Sequence, residues 1–289
     1  MKVLLTGAKG FLGKYLLSEM IVQQIQVDIV GRTAENTFQC DLAKDSLELP
    51  SDASYDMVVH NAGKAHFVPQ NEAEGKEFYD VNVGGTEKLL EAILSLKNKP
   101  KCIVFVSTVA VYGLELGENI DETAPLLGST PYAKSKIMAE EMIQTWCASN
   151  GVNCVILRLP LVVGENAPGN LGAMEKAIRK GYYFRLGTGN ARRSMVNAVD
   201  VAKLIPSLIV MNGVYNLTDG LHRSFAEMDT FLAQKHGKAV KKIPVWMGKW
   251  AAKLGDFIPG FPLNTYRLGK LEQSLTFNDD KARRELNWK

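Results

Sequence analysis

The chain has 289 residues, a formal net charge of +3 and 22% charged residues, a basic excess read as too mild and too evenly spread to argue for a nucleic acid or an anionic membrane as partner. Its length exceeds what one hydrophobic core usually fills, so either one large α/β unit or a nucleotide domain with a smaller companion is expected. Cys40, Cys102, Cys147 and Cys154 show no C-x-x-C spacing and read as small core residues of a reducing compartment, with no metal site expected.

The first element is the apolar run Lys2-Val3-Leu4-Leu5, read as a buried strand. It leads into "TGAKGFLG" and then "FLGKYLLSEMI", whose apolar residues recur at helical spacing. Gly7, Gly10 and Gly13 therefore sit on a strand-to-helix turn. A helix N-terminus leaves backbone N–H groups unpaired and carries partial positive charge, so this turn, with the first helical residues Phe11 and Leu12, is a phosphate site. Gly7 is expected to allow the tight turn, Gly10 the approach of a pyrophosphate, and Gly13 the packing of helix on strand. The spacing is G-x-x-G-x-x-G, one residue longer in its first step than the common dinucleotide fingerprint.

Further strand-like runs follow at Val27–Val30, Met57–His60, Cys102–Ser107 and Val152–Arg158, separated by helical patterns at 84–98 and 131–151. This alternation predicts βαβ units and a doubly wound parallel sheet of the Rossmann type. The second helix opens on Pro131 and closes on Gly151. Beyond about residue 160, Gly- and Pro-punctuated loops with shorter helices take over. Residues 1–160 are read as the dinucleotide-binding domain and 161–289 as a mainly substrate-binding region, with some segments returning to the first domain.

After the second strand, about 20 residues beyond the glycine turn, an NAD enzyme usually presents an acid to the ribose hydroxyls. Here Gly31-Arg32-Thr33 stands in that place. The missing carboxylate and the guanidinium of Arg32 favour NADP, with NAD as the alternative through Asp28.

The stretch "FVSTVAVYG" (105–113) and the later "PYAKSK" (131–136) supply acid-base chemistry. Thr108 lies at the carboxyl end of a predicted parallel strand. Tyr132 and Lys136 lie four apart on one helix face. A phenol of pKa about 10 needs a neighbouring ammonium to work near neutrality. Lys136 is expected to supply it, Tyr132 to move the proton, and Thr108 to hold the substrate oxygen.

Together these residues resemble the extended short-chain dehydrogenase/reductase family and, within it, the nucleotide-sugar epimerases and reductases. The resemblance runs nearly end to end. It implies cofactor roles for the glycine turn, for Asp41-Leu42, for Asn61-Ala62-Gly63, for Asn82 in "NVGGT", and for Tyr132 and Lys136. In the second half it implies substrate roles for Asn170, for Arg193 as a diphosphate ligand, and for Arg267 as a second one, although Val163 stands where the family usually has a tyrosine. Lys64 and His66 lie near the third turn, where a structural or solvent role is expected. Thr108 is followed by Val109-Ala110-Val111 instead of an acidic pair, which argues against a 4,6-dehydratase. The expected activity is NADP-dependent reduction of a 4-keto group on a nucleotide-activated sugar, UDP-linked by expectation. An NAD-dependent 4-epimerase is the alternative, and a non-catalytic NADP sensor is the reading from another class.

The resemblance also implies a homodimer paired through helices 84–98 and 131–149, with Met138, Met142, Ile143 and Trp146 as the apolar surface. An initial strand in place of a basic-apolar leader, and no apolar stretch near the roughly 20 residues that span a bilayer, make the expected compartment cytoplasmic. The segment "VWMGKWAAKLGDFIPGF" (245–261) is amphipathic and basic. It can lie on a membrane surface, but the expectation is a helix packed in the second half.

Overall fold

The structure is a computed structural model that describes residues 1–65, 69–258 and 264–289, apart from the side chains of Ala251, Tyr266, Arg267 and Lys270. The first half contains β1 (Lys2–Thr6), α1 (Phe11–Val22), β2 (Gln26–Gly31), β3 (Phe38–Gln39), β4 (Met57–His60), α2 (Glu72–Tyr79), α3 (Gly85–Leu94), β5 (Cys102–Thr108), β6 (Gly117–Ile120), α4 (Pro131–Asn150) and β7 (Asn153–Leu159). The second half adds β8 (Leu161–Val163), α5 (Gly169–Lys180), β9 (Phe184–Leu186), β10 (Met195–Asn197), α6 (Ala198–Leu204), β11 (Gly213–Asn216) and α7 (Phe225–Lys235). It ends with β12 (Lys241–Ile243), α8 (Val245–Gly255), α9 (Thr265–Glu272), β13 (Leu275–Phe277) and α10 (Asp280–Leu286).

Seven strands form one parallel sheet in the order β3-β2-β1-β4-β5-β7-β11. Strand order reverses between β1 and β4, and in such sheets ligands lie at the carboxyl ends beside that reversal. Side chains alternate between two cores, as a period of two requires. Val3, Leu5, Met57, Val59, Val104 and Leu157 face α1, α6 and α10. Leu4, Val58, Ile103, Phe105 and Ile156 face α3 and α4. The strand-like runs of the sequence are thus apolar on both faces because helices cover both. β11, α6 and α10 all return from the second half to this sheet.

Helix α4 runs as the sequence predicts. Thr130 caps it through Oγ1, which accepts from the Ala133 N–H at 3.1 Å, Pro131 takes the first turn, and Gly151 closes it at φ 66°. The helix expected at 84–98 differs. A five-residue π-helical turn, Asp80–Gly84, precedes α3, which stops at Leu94; beyond it the Lys99 ammonium satisfies the Leu94 and Leu96 carbonyls at 2.8 and 2.7 Å.

Two expectations about surfaces are corrected. Ile143 is fully buried against the sheet and offers no dimer surface, whereas Met138 is exposed and Met142 and Trp146 are partly covered. Helix α8 is not packed along its apolar residues: Gly248 and Ala252 face inward, and Trp246, Met247, Trp250 and Leu254 are exposed. Among the described residues, no helix is long and apolar enough to cross a membrane.

Candidate active site

The glycine turn closes β1 onto α1. Gly7 adopts φ 72°, and a Cβ there would fall 2.6 Å from the Ala62 nitrogen. A Cβ on Gly13 would fall 2.0 Å from the Gly7 carbonyl oxygen, so Gly13 lets the helix sit against the turn itself. Gly10 is the N-cap of α1 and offers no capping side chain; its N–H donates to Gly7 O at 3.1 Å. The N–H groups of Phe11, Leu12 and Gly13 therefore have no intrahelical acceptor, which leaves them available to an anion. Asn61 Nδ2 donates to the same Gly7 carbonyl at 3.1 Å, tying the third turn to the first. This cradle fits a dinucleotide pyrophosphate.

At the end of β2 the local logic is partly structural. A Cβ on Gly31 would fall 2.7 Å from Asn36 Nδ2, so the glycine makes room for a side chain that closes the 33–36 turn by donating to Thr33 O at 2.9 Å. Arg32 is exposed beside it. Lys9, from within the glycine turn, reaches across to Thr33 Oγ1 at 2.7 Å and to the carboxylate of Glu35, which it holds below the usual carboxylate pKa. Sequence reasoning passed over Lys9, although its place inside the turn was a signal. Asp41 accepts from the Ala43 N–H at 3.2 Å and Leu42 packs under Gly85, so both also shape the loop after β3.

A buried polar chain joins the strand ends. The parallel register places Thr6 opposite His60 and His60 opposite Phe105. The Ala62 N–H donates to Thr6 Oγ1 at 3.0 Å, and Thr6 Oγ1 lies 2.8 Å from His60 Nδ1. His60 Nε2 lies 2.9 Å from Thr86 Oγ1, whose proton goes to Asn82 O at 2.6 Å. Because Thr86 spends its proton on that carbonyl, His60 must donate from Nε2 and accept at Nδ1. Burial, with a contribution from Lys136, pushes its pKa down to about 3, so it is neutral. His60 was read in the sequence only as the end of a strand; a polar residue closing "MVVH" was the available signal.

Asn82 sits in the π turn and is buried. Its Oδ1 accepts from the Lys64 N–H at 2.7 Å, while Nδ2 donates to Lys64 O at 3.2 Å and to Ser135 Oγ at 2.9 Å. A Cβ on Gly63 would fall 3.1 Å from Asn82 Oδ1 and 3.9 Å from Lys136 Nζ. Asn61, Ala62, Gly63, Asn82 and Lys136 thus converge. Lys64 pairs with Glu77 and lies over Phe78, in keeping with a structural role.

Thr108 ends β5 and caps the 3-10 turn Val109–Tyr112, its Oγ1 accepting from the Ala110 N–H at 3.2 Å. The Tyr132 ring packs obliquely on Phe78, ring centroids 6.0 Å apart, and its phenol lies near the Thr108 hydroxyl. Burial raises the phenol's pKa above its ordinary value, an effect that the nearby Thr108 hydroxyl only partly offsets. Lys136, one turn further along α4, is buried. Its Nζ donates to Val106 O at 2.7 Å and sits 3.8 Å from the centre of the Phe105 ring. Burial lowers its pKa to about 7, against the pull of Glu140. The expected lowering of Tyr132 by Lys136 does not operate in this arrangement, because the ammonium is turned to the carbonyl and the ring.

Glu140, a further turn along α4, is fully buried and anchors the helix. It accepts from Ser107 Oγ and from Arg158 Nη2 at 2.7 Å, and Arg158 Nη1 continues to the Tyr112 hydroxyl at 3.1 Å. The i, i+4, i+8 spacing of Tyr132, Lys136 and Glu140 was the overlooked signal.

The residues assigned to substrate are more dispersed. Asn170 is exposed in the first turn of α5. Arg193 is half-buried, donates from Nη1 to Arg192 O at 2.9 Å and to the Gln273 carbonyl, and lies 5.2 Å from the Phe225 ring; burial lowers its pKa. Arg267 belongs to α9, with its side chain outside the described residues, as is His66 entirely. After Val163, the Glu165 N–H donates to Tyr15 Oη at 2.7 Å, and a Cβ on Gly164 would fall 2.7 Å from the same oxygen. That loop is thereby pinned to α1 directly behind the glycine turn.

A model of the NAD dependent epimerase/dehydratase family matches residues 3–217. The chain is 31% identical over 253 residues, 84% of its length and 73% of the relative's, to the N-acetyl-α-D-glucosaminyl-diphospho-ditrans,octacis-undecaprenol 4-epimerase of Escherichia coli O157:H7. It is 26% identical over 238 residues, 81% of its length and 80% of the relative's, to the GDP-6-deoxy-D-talose 4-dehydrogenase of Aggregatibacter actinomycetemcomitans. Among solved structures, the UDP-glucose 4-epimerase of Thermus thermophilus in complex with NAD aligns at a TM-score of 0.70 and 25% identity, over 84% of this chain and 86% of that one. With the glycine turn, the third turn and the Thr-Tyr-Lys set gathered at the carboxyl edge of one parallel sheet, the chain belongs to the NAD dependent epimerase/dehydratase family, in the extended short-chain dehydrogenase/reductase group.

Proposed function

We propose that the protein is an NADP-dependent oxidoreductase that reduces the 4-keto group of a nucleotide-activated sugar, with UDP as the nucleotide. The observation that carries this reading is the placement of Thr108, Tyr132 and buried Lys136 together at the carboxyl edge of the sheet, within a fold whose β2 ends without a carboxylate. The nicotinamide, when bound, supplies the hydride. The N-terminus of α1, with Gly7, Gly10, Phe11, Leu12 and Gly13, holds the pyrophosphate. Arg32 and Lys9 favour a 2′-phosphate, and Asp41, Leu42, Asn61, Ala62, Gly63 and Asn82 line the rest of the cofactor's path. Thr108 orients the substrate oxygen and Tyr132 delivers the proton, while Lys136, beside Gly63 and Asn82, binds the cofactor's ribose. Asn170, Arg193 and Arg267 bind the sugar diphosphate, for which a guanidinium is suited because it meets phosphate oxygens bidentately.

The second reading is a 4-epimerase that retains NAD. It is favoured by the two 4-epimerases named above, one acting on a sugar diphosphate carried by undecaprenol. A sensor without turnover is disfavoured because it would have no use for the Thr108, Tyr132 and Lys136 set. We further place the protein in the cytoplasm as a homodimer; its four cysteines are buried and unpaired, as suits a reducing compartment. The deciding experiment mixes purified protein with NADPH and UDP-4-keto-sugars and follows cofactor oxidation, alongside mass spectrometry of the copurifying nucleotide. Oxidation supports reduction; tightly held NAD with interconversion of 4-epimers and no net oxidation replaces it with epimerisation.

A further inference from the structure

Helix α8 is amphipathic in an inverted sense. Val245, Gly248, Ala252 and Gly255 recur at three- and four-residue spacing and form its inner face, where a Cβ on Gly248 would fall 2.2 Å from Leu186 Cδ1. Small residues are thus turned inward and large apolar ones outward. Trp246, Trp250 and Leu254 follow at four-residue steps on the opposite side and are 65%, 69% and 59% exposed, and Phe257 just beyond the helix is 86% exposed. Met247 and Ile258 widen the same stripe. Beside the helix, β9 packs Leu186 under Gly248 and exposes Phe184, with Lys241 Nζ of β12 5.8 Å from its ring, and Tyr182 just before β9 is exposed as well. Water is a poor solvent for such a patch, and a contiguous one marks an interaction surface.

Charge decides what covers it. Between residues 238 and 258 stand five lysines, Lys238, Lys241, Lys242, Lys249 and Lys253, against one acid, Asp256, so this stretch carries +4 in a chain whose total is +3. A second copy of the chain, joined by a two-fold axis, would bring these lysines together and be repelled. A bilayer with anionic headgroups satisfies both features: tryptophans suit the headgroup boundary, and lysines are drawn by the negative surface potential. Eleven residues span only about 16 Å, too short to cross but enough to lie in the interface.

We propose that α8, with the β9–β12 edge, is a membrane-adsorbing face that docks the protein on an anionic bilayer through Trp246, Trp250, Leu254 and Phe257 inserted at the headgroup level, flanked by Lys241, Lys242, Lys249 and Lys253. The docked face belongs to the half of the chain that carries Asn170 and Arg193. Docking needs no sugar or cofactor, so it stands or falls separately from the proposed reaction.

The test is flotation of the whole protein with vesicles of phosphatidylcholine containing phosphatidylglycerol, compared with phosphatidylcholine alone. The protein is expected to float with the anionic vesicles and to be released by high salt. Trp246→Ser/Trp250→Ser, at exposed positions outside the cofactor and catalytic sets, should lose partitioning by at least about tenfold, and Lys241→Glu/Lys242→Glu by a similar factor. NADPH binding and the circular dichroism of both variants should match the parent. Lipids brominated in the acyl chain should quench tryptophan emission in the parent and not in the tryptophan variant. Absence of flotation with anionic vesicles overturns the proposal. So does flotation unchanged in the tryptophan variant, or self-association or capture of an acidic protein that depends on Trp246 and Trp250 without vesicle binding.

Discussion

Asn82 Nδ2 donates to Ser135 Oγ over 2.9 Å, and this one bond fixes the π turn before α3 to the second turn of α4. Ser135 Oγ in turn donates to Tyr132 O at 2.8 Å, so the turn beneath the third glycine site and the backbone of the phenol's residue are held by the same hydroxyl. Ser135→Ala should cost about 1–2 kcal/mol, since it strips a buried donor of a partner without changing the shape much. Asn82→Leu should cost more, as three bonds are lost and the Lys64 backbone is left without its partner. Urea unfolding of both variants measures this; unchanged midpoints would show that the tie is ornamental.

The neutral His60 predicts an acid-sensitive fold. Its folded-state pKa is pushed down to about 3 from an ordinary value of 6.5. Between those values the unfolded chain takes up a proton that the folded chain refuses, so stability falls as pH drops from about 6.5 toward 3, with a slope of up to about 1.4 kcal/mol per pH unit from this group. His60→Gln should be less stable at neutral pH and should flatten that acid limb. Urea midpoints measured across the window decide it, and parallel slopes would contradict the assignment.

Tyr132→Phe should fold, bind cofactor and turn over on the order of a hundredfold more slowly or worse, the usual scale for a lost general acid or base. Lys136→Met should be at least as damaging, and Thr108→Val less so. Lys136 offers a separate check on burial. Its folded pKa is about 7 against 10.5 unfolded, so the parent should gain stability as pH rises across that interval and Lys136→Met should not. Near-parent turnover by well-folded Tyr132→Phe would place proton transfer elsewhere, with His66 the next candidate.

Cofactor titration should show NADPH bound at least several-fold more tightly than NADH. Arg32→Ala should remove most of that difference while leaving NADH nearly unchanged. Lys9→Ala should remove part of it, because its ammonium is shared with Glu35 and Thr33. Equal affinities in the parent would return retained NAD, and with it epimerisation, to first place.

Light scattering at micromolar concentration should give a dimer. The face available for it on α4 is lined by Met138, Glu141, Met142, Thr145, Trp146, Ser149 and Asn150. Met138→Glu/Met142→Glu should yield a folded monomer, whereas a monomeric parent would remove the pairing.

The sheet, its helices and the glycine turn were legible in the sequence because they rest on local rules. An apolar run buried on both faces, a period of 3.6, a proline opening a helix and a glycine at positive φ leave their mark within a few residues. The same holds for Tyr132 and Lys136, which helical periodicity alone puts on one face. What the sequence by itself did not determine is which residues from distant strands meet. His60 stands between Thr6 and Phe105 only because the parallel register aligns those strand ends, and register is a choice among pairings that no single strand encodes. The inverted face of α8 was hidden for a related reason. Its apolar residues show an amphipathic helix, but only the packing of Gly248 under Leu186 decides that the tryptophans turn to the solvent.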